Sequence, residues 1–143
     1  MSTSQSFSNH TRFDPAFHFF LAPLSLVFVI YTIVRVIRVP DLAHAAHIIG
    51  ALFLLVATFK IRLYALNVQD RLIRLEERLR LKEVLPPALQ PRISELTEDQ
   101  LIGLRFASDA ELPKLAERAM NEKLSRADIK KAIQTWRPDY WRV

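Results

Sequence analysis

The chain contains no cysteine and only two glycines in 143 residues. The first absence excludes disulfides, thiolate metal sites, iron–sulfur clusters and covalent haem attachment. The second leaves no material for a phosphate-cradling loop. Charge is scarce in one part of the chain. Residues 1–59 hold Arg12, Arg35 and Arg38 against Asp14 and Asp41, while 60–143 carry 17 basic and 13 acidic side chains. A uniform domain would spread its charges more evenly, so the first 59 positions suit a different solvent. Catalytic patterns are missing as well. No HExxH, GxSxG, Walker or GxGxxG motif occurs, and the acids stand at helix caps or in ion-pairing positions such as Glu76 with Arg80. No enzyme activity is expected.

What is present is oil. Phe17–Val34 is an 18-residue stretch whose only ionisable group is His18, and Leu42–Phe59 is a second, with His44 and His47 near its start. At about 1.5 Å per residue each covers roughly 27 Å, close to the ~30 Å hydrocarbon layer of a bilayer. The rest of the chain is too small and too charged to wrap two such helices as a buried core. Two transmembrane helices are therefore expected, over 15–38 and 41–60, with lipid as their surroundings. Asp14-Pro15 supplies a cap followed by proline at the first helical position, and Pro23 is placed to kink the first span. Arg35 and Arg38 close that span and can snorkel to headgroups. Val39-Pro40-Asp41 is a tight turn, with Asp41 capping the second helix, so the pair must form an antiparallel hairpin. A cleaved signal peptide ending near Ala43-His44-Ala45 is disfavoured. It would lack a basic segment before Arg12, and two arginines separate the apolar run from the small residues.

Orientation follows from the basic residues beside the spans. Positions 60–79 carry Lys60, Arg62, Arg71, Arg74 and Arg78, against two in the connector and one in the polar 1–14 tail. The larger group should stay inside, which makes both termini cytoplasmic. From Lys60 to Val84 there is neither Gly nor Pro, so the second helix should continue as a stalk over 61–84. Ile61, Ala65, Val68, Leu72, Leu75 and Leu79 are spaced 4, 3, 4, 3 and 4 apart, an a/d seam of nearly three heptads. Two uses fit it equally: pairing with a second helix, or packing on the chain's own C-terminal part. Lys60 and Arg62 also suit anionic headgroups.

Pro86, Pro87 and Pro91 should end the stalk in an extended linker over 85–96. The remaining 97–143 reads as a small module of three helices. Thr97-Glu98-Asp99-Gln100 is a capping box, and Ser108-Asp109-Ala110-Glu111 is a second. Leu112, Leu115, Ala116, Ala119 and Met120 form an amphipathic stripe. Ser125 should cap a third helix with Ile129, Ala132, Ile133 and Trp136 on one face, ended by Pro138.

Several blocks carry a resemblance. Gln5-Ser6-Phe7-Ser8-Asn9-His10-Thr11-Arg12-Phe13-Asp14-Pro15 with Phe17-His18-Phe19, then Val68-Gln69-Asp70-Arg71, Arg74–Arg80 and Leu104–Asp109, together resemble a family of small bacterial membrane proteins of unknown function. The resemblance runs over nearly the whole chain. It implies a two-span bacterial protein with a cytoplasmic tail, and it assigns no activity and no functional residue; the expected location is the inner membrane.

His18, His44 and His47 are the candidate ligands. His44 and His47 are one turn apart and could hold a metal or tetrapyrrole. In an antiparallel hairpin His18 and His44 lie at opposite ends, so one chain cannot ligate a single haem through both. Single-histidine binding of haem or chlorophyll, through His44 or His18, is the alternative to plain interfacial histidines. Nucleic-acid binding is weighed because the pI is 9.9 and the last helix is basic, but the part after residue 59 nets only +4 with acids interleaved throughout. Trp136, Tyr140 and Trp141 beside Arg137 and Arg142 suit a membrane-interface foot, or closure of the small helical core. The expected protein is all-α: a transmembrane hairpin, a stalk and a three-helix module. Its expected role is structural or binding, with the lipid bilayer and either other membrane subunits or further copies of itself as partners.

Overall fold

A computed structural model describes residues 5–9 and 13–139, and among these the fold is all-helical with no named strand. The described chain divides into two compact units, one of residues 13–67 and one of 5–9 with 68–139.

The first unit is a helical hairpin. A π-helical turn, Ala16–Leu21, leads into α1, Ala22–Arg38. The Phe17 N–H donates to Asp14 Oδ1 at 3.2 Å, as expected of a cap. A proline ring clashes with the carbonyl four residues back, and the wider turn just before Pro23 relieves that contact. The backbone bond here runs from Ala22 N–H to Phe17 O. Helix α2 begins at Leu42, where Asp41 Oδ1 accepts the His44 N–H at 2.7 Å, and runs to Val84 as one 43-residue element. Contacts at both ends set the two helices antiparallel. Phe17 meets Phe59 edge-on at 5.5 Å, and Arg62 reaches Asp14 at 3.4 Å. At the other end Arg35 reaches His44 at 3.1 Å.

The hairpin buries few side chains, and they are small or medium-sized: Ser25, Val29, Thr32 and Ala51. Small residues allow close approach without a large core. The two hydroxyls satisfy themselves within α1, Ser25 on Ala22 O and Thr32 on Val29 O, each at 2.9 Å. Almost everything else is apolar and uncovered, including Phe19, Ile49 and Phe53, each more than 70% exposed. Ala16–Arg38 and Leu42–Val84 are long and apolar enough to cross a membrane.

The second unit has a conventional core. Leu81 at the end of α2 and Leu85 just after it join Leu101 and Leu104 of α3 (Glu98–Leu104), Leu112, Leu115 and Met120 of α4 (Leu112–Glu122), and Ile129 of α5 (Arg126–Ala132) around Phe106. The Thr97 box forms in both directions. Thr97 Oγ1 accepts the Gln100 N–H at 3.3 Å, and Gln100 Oε1 accepts the Thr97 N–H at 2.9 Å. Gln100 Nε2 then donates to Ala119 O and Leu124 O, tying α3 to the end of α4.

Four local expectations are corrected. The 85–96 stretch is not an extended linker, because Pro91 opens a 3₁₀ turn, Gln90–Glu95, that puts Ile93 and Leu96 into the core. The third helix stops at Ala132, not near Trp136. Ile133 turns extended so that Phe106–Ser108 and Thr135–Arg137 pair antiparallel, through Ser108 N–H to Thr135 O and Arg137 N–H to Phe106 O. The second box forms only in half, with Ser108 N–H on Glu111 Oε1 at 3.3 Å. The other bonds of the Glu111 carboxylate go to the N–H groups of Gln134 and Thr135, which pins the extended segment. The first residues are more than a polar tail: Gln5 pairs its side-chain amide with the backbone of Asp139, accepting at 2.8 Å and donating at 3.2 Å.

Candidate functional site

The stalk portion of α2 within the second unit has two different faces. Successive helical residues turn by about 100°, so Ile73, Glu77, Leu81 and Leu85 share one side and Val68, Leu72, Leu75 and Leu79 the opposite one. The first side is buried against the module. The second is the seam read from the sequence, and it is bare: Val68, Leu72, Leu75 and Leu79 are 67%, 54%, 56% and 53% exposed. Ile61, earlier on α2, is exposed as well, and Ala65 is half-buried. The two uses weighed for the stalk therefore fall on separate faces. It packs on its own C-terminal module through a stripe other than the seam, and the seam is left open.

Hollows run along both flanks of the seam. One, of about 590 Å³, is lined by Arg71, Arg74, Arg78 and Glu98 beside Val68, Leu72 and Leu75. The other, of about 660 Å³, has Glu76 and Glu83 on its helical wall, Glu77, Arg80 and Arg105 deeper in, and Arg137 at its exposed edge. Arg74 is engaged with Glu98 of α3.

The deeper charges form a network that locks the stalk to the module. Arg80 does not pair with Glu76; its guanidinium lies 3.1 Å from Glu77 and 2.7 Å from Asp109, and donates to Ala107 O at 2.6 Å. The four-residue rule picked Glu76, but Glu77 lies on the buried stripe where Arg80 also points. Arg137 approaches Glu77 at 3.8 Å and Arg105 approaches Asp139 at 3.5 Å. Burial raises the Glu77 pKa above its ordinary value, and the guanidinium groups of Arg80, Arg137 and Arg105 pull it back only in part. Three arginines here face three carboxylates, so the cluster is balanced, with Glu77, Arg80 and Arg105 buried and Asp109 and Arg137 reaching solvent. Sequence reading missed it; the signal was an acid set within an Ile73–Leu81–Leu85 stripe of spacing 8 and 4.

The histidines are engaged locally. His44 Nδ1 sits 2.7 Å from Asp41 Oδ2 and Nε2 sits 3.1 Å from the Arg35 guanidinium. Arginine has no acceptor, so it donates to Nε2, and the ring proton on Nδ1 goes to the carboxylate. Ligand binding through His44 Nε2 would have to displace Arg35. His18 Nδ1 lies 2.8 Å from Asp14 O, with Phe13 and Phe17 edge-on around the ring. His47 stacks edge-on to His44 at 6.2 Å, beside a hollow lined by Phe28, Tyr31 and Thr32. Among the described residues no group of three or more His, Asp or Glu side chains is placed to hold a metal ion.

The interface residues divide. Lys60 lies over the Tyr64 ring at 5.6 Å, Arg62 over Phe17 at 5.6 Å, and Arg38 is exposed. Trp136 is half-buried and packs on Phe106 at 5.1 Å, against the edge of the core. Tyr140 and Trp141, expected beside it, lie outside the described residues.

A model of a family of unknown function, DUF6526, matches residues 1–143. The chain belongs to that family. Neither the curated proteins nor the solved structures contain a match. The family carries no assigned activity, so what can be said of function rests on the chain's own residues: an uncovered apolar hairpin, a module locked to the stalk, and an open apolar seam between an arginine flank and a glutamate flank.

Proposed function

We propose that the protein is a membrane-anchored structural and binding protein rather than an enzyme. The hairpin crosses the bacterial inner membrane twice, both termini are cytoplasmic, and the helical module is held on the cytoplasmic side by the stalk. The observation that carries this reading is the exposure of the hairpin. Its large apolar side chains face away from both helices, with no protein surface of the same unit over them, an arrangement that a lipid environment stabilises. The basic excess after the second span supports the orientation. The pairing of Glu77 with Arg80, and of Arg105 with Asp139, supports a structural role for these buried charges. The histidine alternative, one ring holding a tetrapyrrole or a metal, has less support, because His44 already has partners on both nitrogens.

Because the chain lacks cysteine, single introduced thiols report topology cleanly. In intact cells a membrane-impermeant maleimide should label Val39→Cys at the hairpin tip and leave Lys114→Cys in α4 unlabelled until the cells are opened. Labelling of Lys114→Cys from outside would reverse the orientation, and immediate labelling of neither site would remove the hairpin.

A further inference from the structure

We infer that the open seam is occupied by a second copy of the same chain, parallel and in register, with Arg71 and Arg78 selecting the partner. This rests on the membrane-anchored reading above, because copies inserted with one orientation present their stalks side by side and pointing the same way.

The inference comes from the flanks of the seam. With Leu72 and Leu79 at the a positions and Val68 and Leu75 at d, the positions beside the seam are Arg71 and Arg78 on one side (g) and Gln69, Glu76 and Glu83 on the other (e). In a parallel, in-register pair each g residue meets the e residue five positions later on the partner. That sets Arg71 against the other copy's Glu76 and Arg78 against the other copy's Glu83, in both directions. In an antiparallel pair g meets g and e meets e, so arginine would face arginine and glutamate would face glutamate. The charge pattern thus favours one arrangement and penalises the other. All four side chains are exposed, and among the described residues none takes part in an ion pair within the chain.

The rest of the second unit leaves room for this pairing. The module occupies the side of α2 defined by Ile73, Glu77 and Leu81, which are the b, f and c positions facing away from a coiled-coil partner. The arginine-lined and glutamate-lined hollows lie on the two flanks where the opposing side chains of a second stalk would enter. Nearly three heptads are short for a free coiled coil, and anchoring in one membrane raises the effective concentration of the second strand.

The test is cross-linking of the full chain in membranes. Val68 and Leu79 lie about 16 Å apart along the helix, and a disulfide needs Cα atoms within about 7 Å. A parallel, in-register pair therefore predicts that Val68→Cys and Leu79→Cys each give a disulfide-linked dimer on mild oxidation, while Lys114→Cys does not. An antiparallel or displaced pair can link at one of these positions at most. The charge arm uses the same thiols. Arg71→Glu with Arg78→Glu, and separately Glu76→Arg with Glu83→Arg, should each lower the linked fraction about tenfold at low salt, and mixing the two variants should restore it. Linking at only one seam position, linking at neither, or linking that ignores both charge swaps overturns the inference. If the chain stays in the membrane through an alkaline wash while the links fail, the pairing alone is wrong; if the chain leaves the membrane, the anchoring reading is wrong as well.

Discussion

The two units of this chain use similar side chains under opposite rules. In the hairpin, leucine, isoleucine, valine and phenylalanine point outward. Only 11% and 6% of the two most apolar windows is buried by protein, and the buried positions are small or medium-sized residues such as Ser25 and Ala51. In the second unit the same residue types point inward, and Leu81, Leu101, Leu104, Phe106, Leu112 and Ile129 are fully buried. Both units rest on apolar side chains, and what separates their architecture is where those side chains go. A side chain in the module is stabilised by leaving water for a close-packed interior. One on the hairpin face gains little from its neighbours and is stable only where the surroundings are themselves apolar.

The largest expected effect separates the units by the same substitution. Phe106→Ala removes a ring fully buried between Arg105, Lys130 and Trp136, and should cost about 3–5 kcal/mol. Phe53→Ala on the hairpin, where the ring is 71% exposed, should leave the stability of the chain nearly unchanged. Denaturant unfolding in mild detergent, followed by the loss of helical circular dichroism from both units, measures both. Equal losses would show that the hairpin also has a close-packed protein core.

The two glycines sharpen the comparison at smaller scale. A Cβ at Gly103 would lie 3.2 Å from Ile129 Cγ2 and 3.4 Å from the Arg126 carbonyl oxygen, against a side chain with no exposed surface to move into. Gly103→Ala should therefore lose about 1 kcal/mol net of its helix-propensity gain. A Cβ at Gly50 meets nothing within 4 Å, so Gly50→Ala should be neutral or stabilising by up to about 1 kcal/mol. Paired melting curves of the two variants read the difference, and the reverse order would contradict this placement of α3 on α5.

The finest expected effect is one of pH. Glu77 has its pKa raised by burial, so its protonated form is favoured by folding. Its contribution is fully present below the ordinary value of 4.5 and is lost as pH rises through the raised folded value. The second unit should thus gain stability as pH falls from neutral toward that region. Glu95 and Glu122 work the other way, since hydrogen bonds from Arg92 and Arg118 lower their pKa values; what they add is lost only as pH falls below the ordinary range. Glu77→Gln should flatten the first slope and leave the acid-side loss in place. Melting temperature against pH for the two proteins decides it, and an unchanged slope would mean that Glu77 is not desolvated.

Much of the fold was legible in the sequence where one signal dominated. The length and composition of Ala16–Arg38 and of the first part of α2 were enough to identify two long apolar helices, the Thr97–Gln100 box marked the start of α3, and the Leu112–Met120 stripe gave the buried face of α4. Where two signals competed, the tertiary one won. Pro91 reads as a breaker, but it fits the start of a 3₁₀ turn that the core needs for Ile93. The helical spacing of Ile129, Ala132, Ile133 and Trp136 gives way at Ile133, because the extended segment lets Trp136 reach Phe106 and lets Glu111 collect two backbone N–H groups. The candidate site was half visible. The seam was read from its spacing; the module-facing stripe was hidden because a buried glutamate interrupts it, and Glu77 becomes recognisable as a core residue only once Arg80, Arg105 and Arg137 converge on it.

The central claim, that the hairpin's surroundings are hydrocarbon, is tested most directly by fractionating cells that express the full chain and washing the membranes at alkaline pH. The account predicts that the protein stays entirely in the pelleted membranes and is released only by detergent. Recovery of the full-length chain as a monomer in the detergent-free supernatant would contradict it.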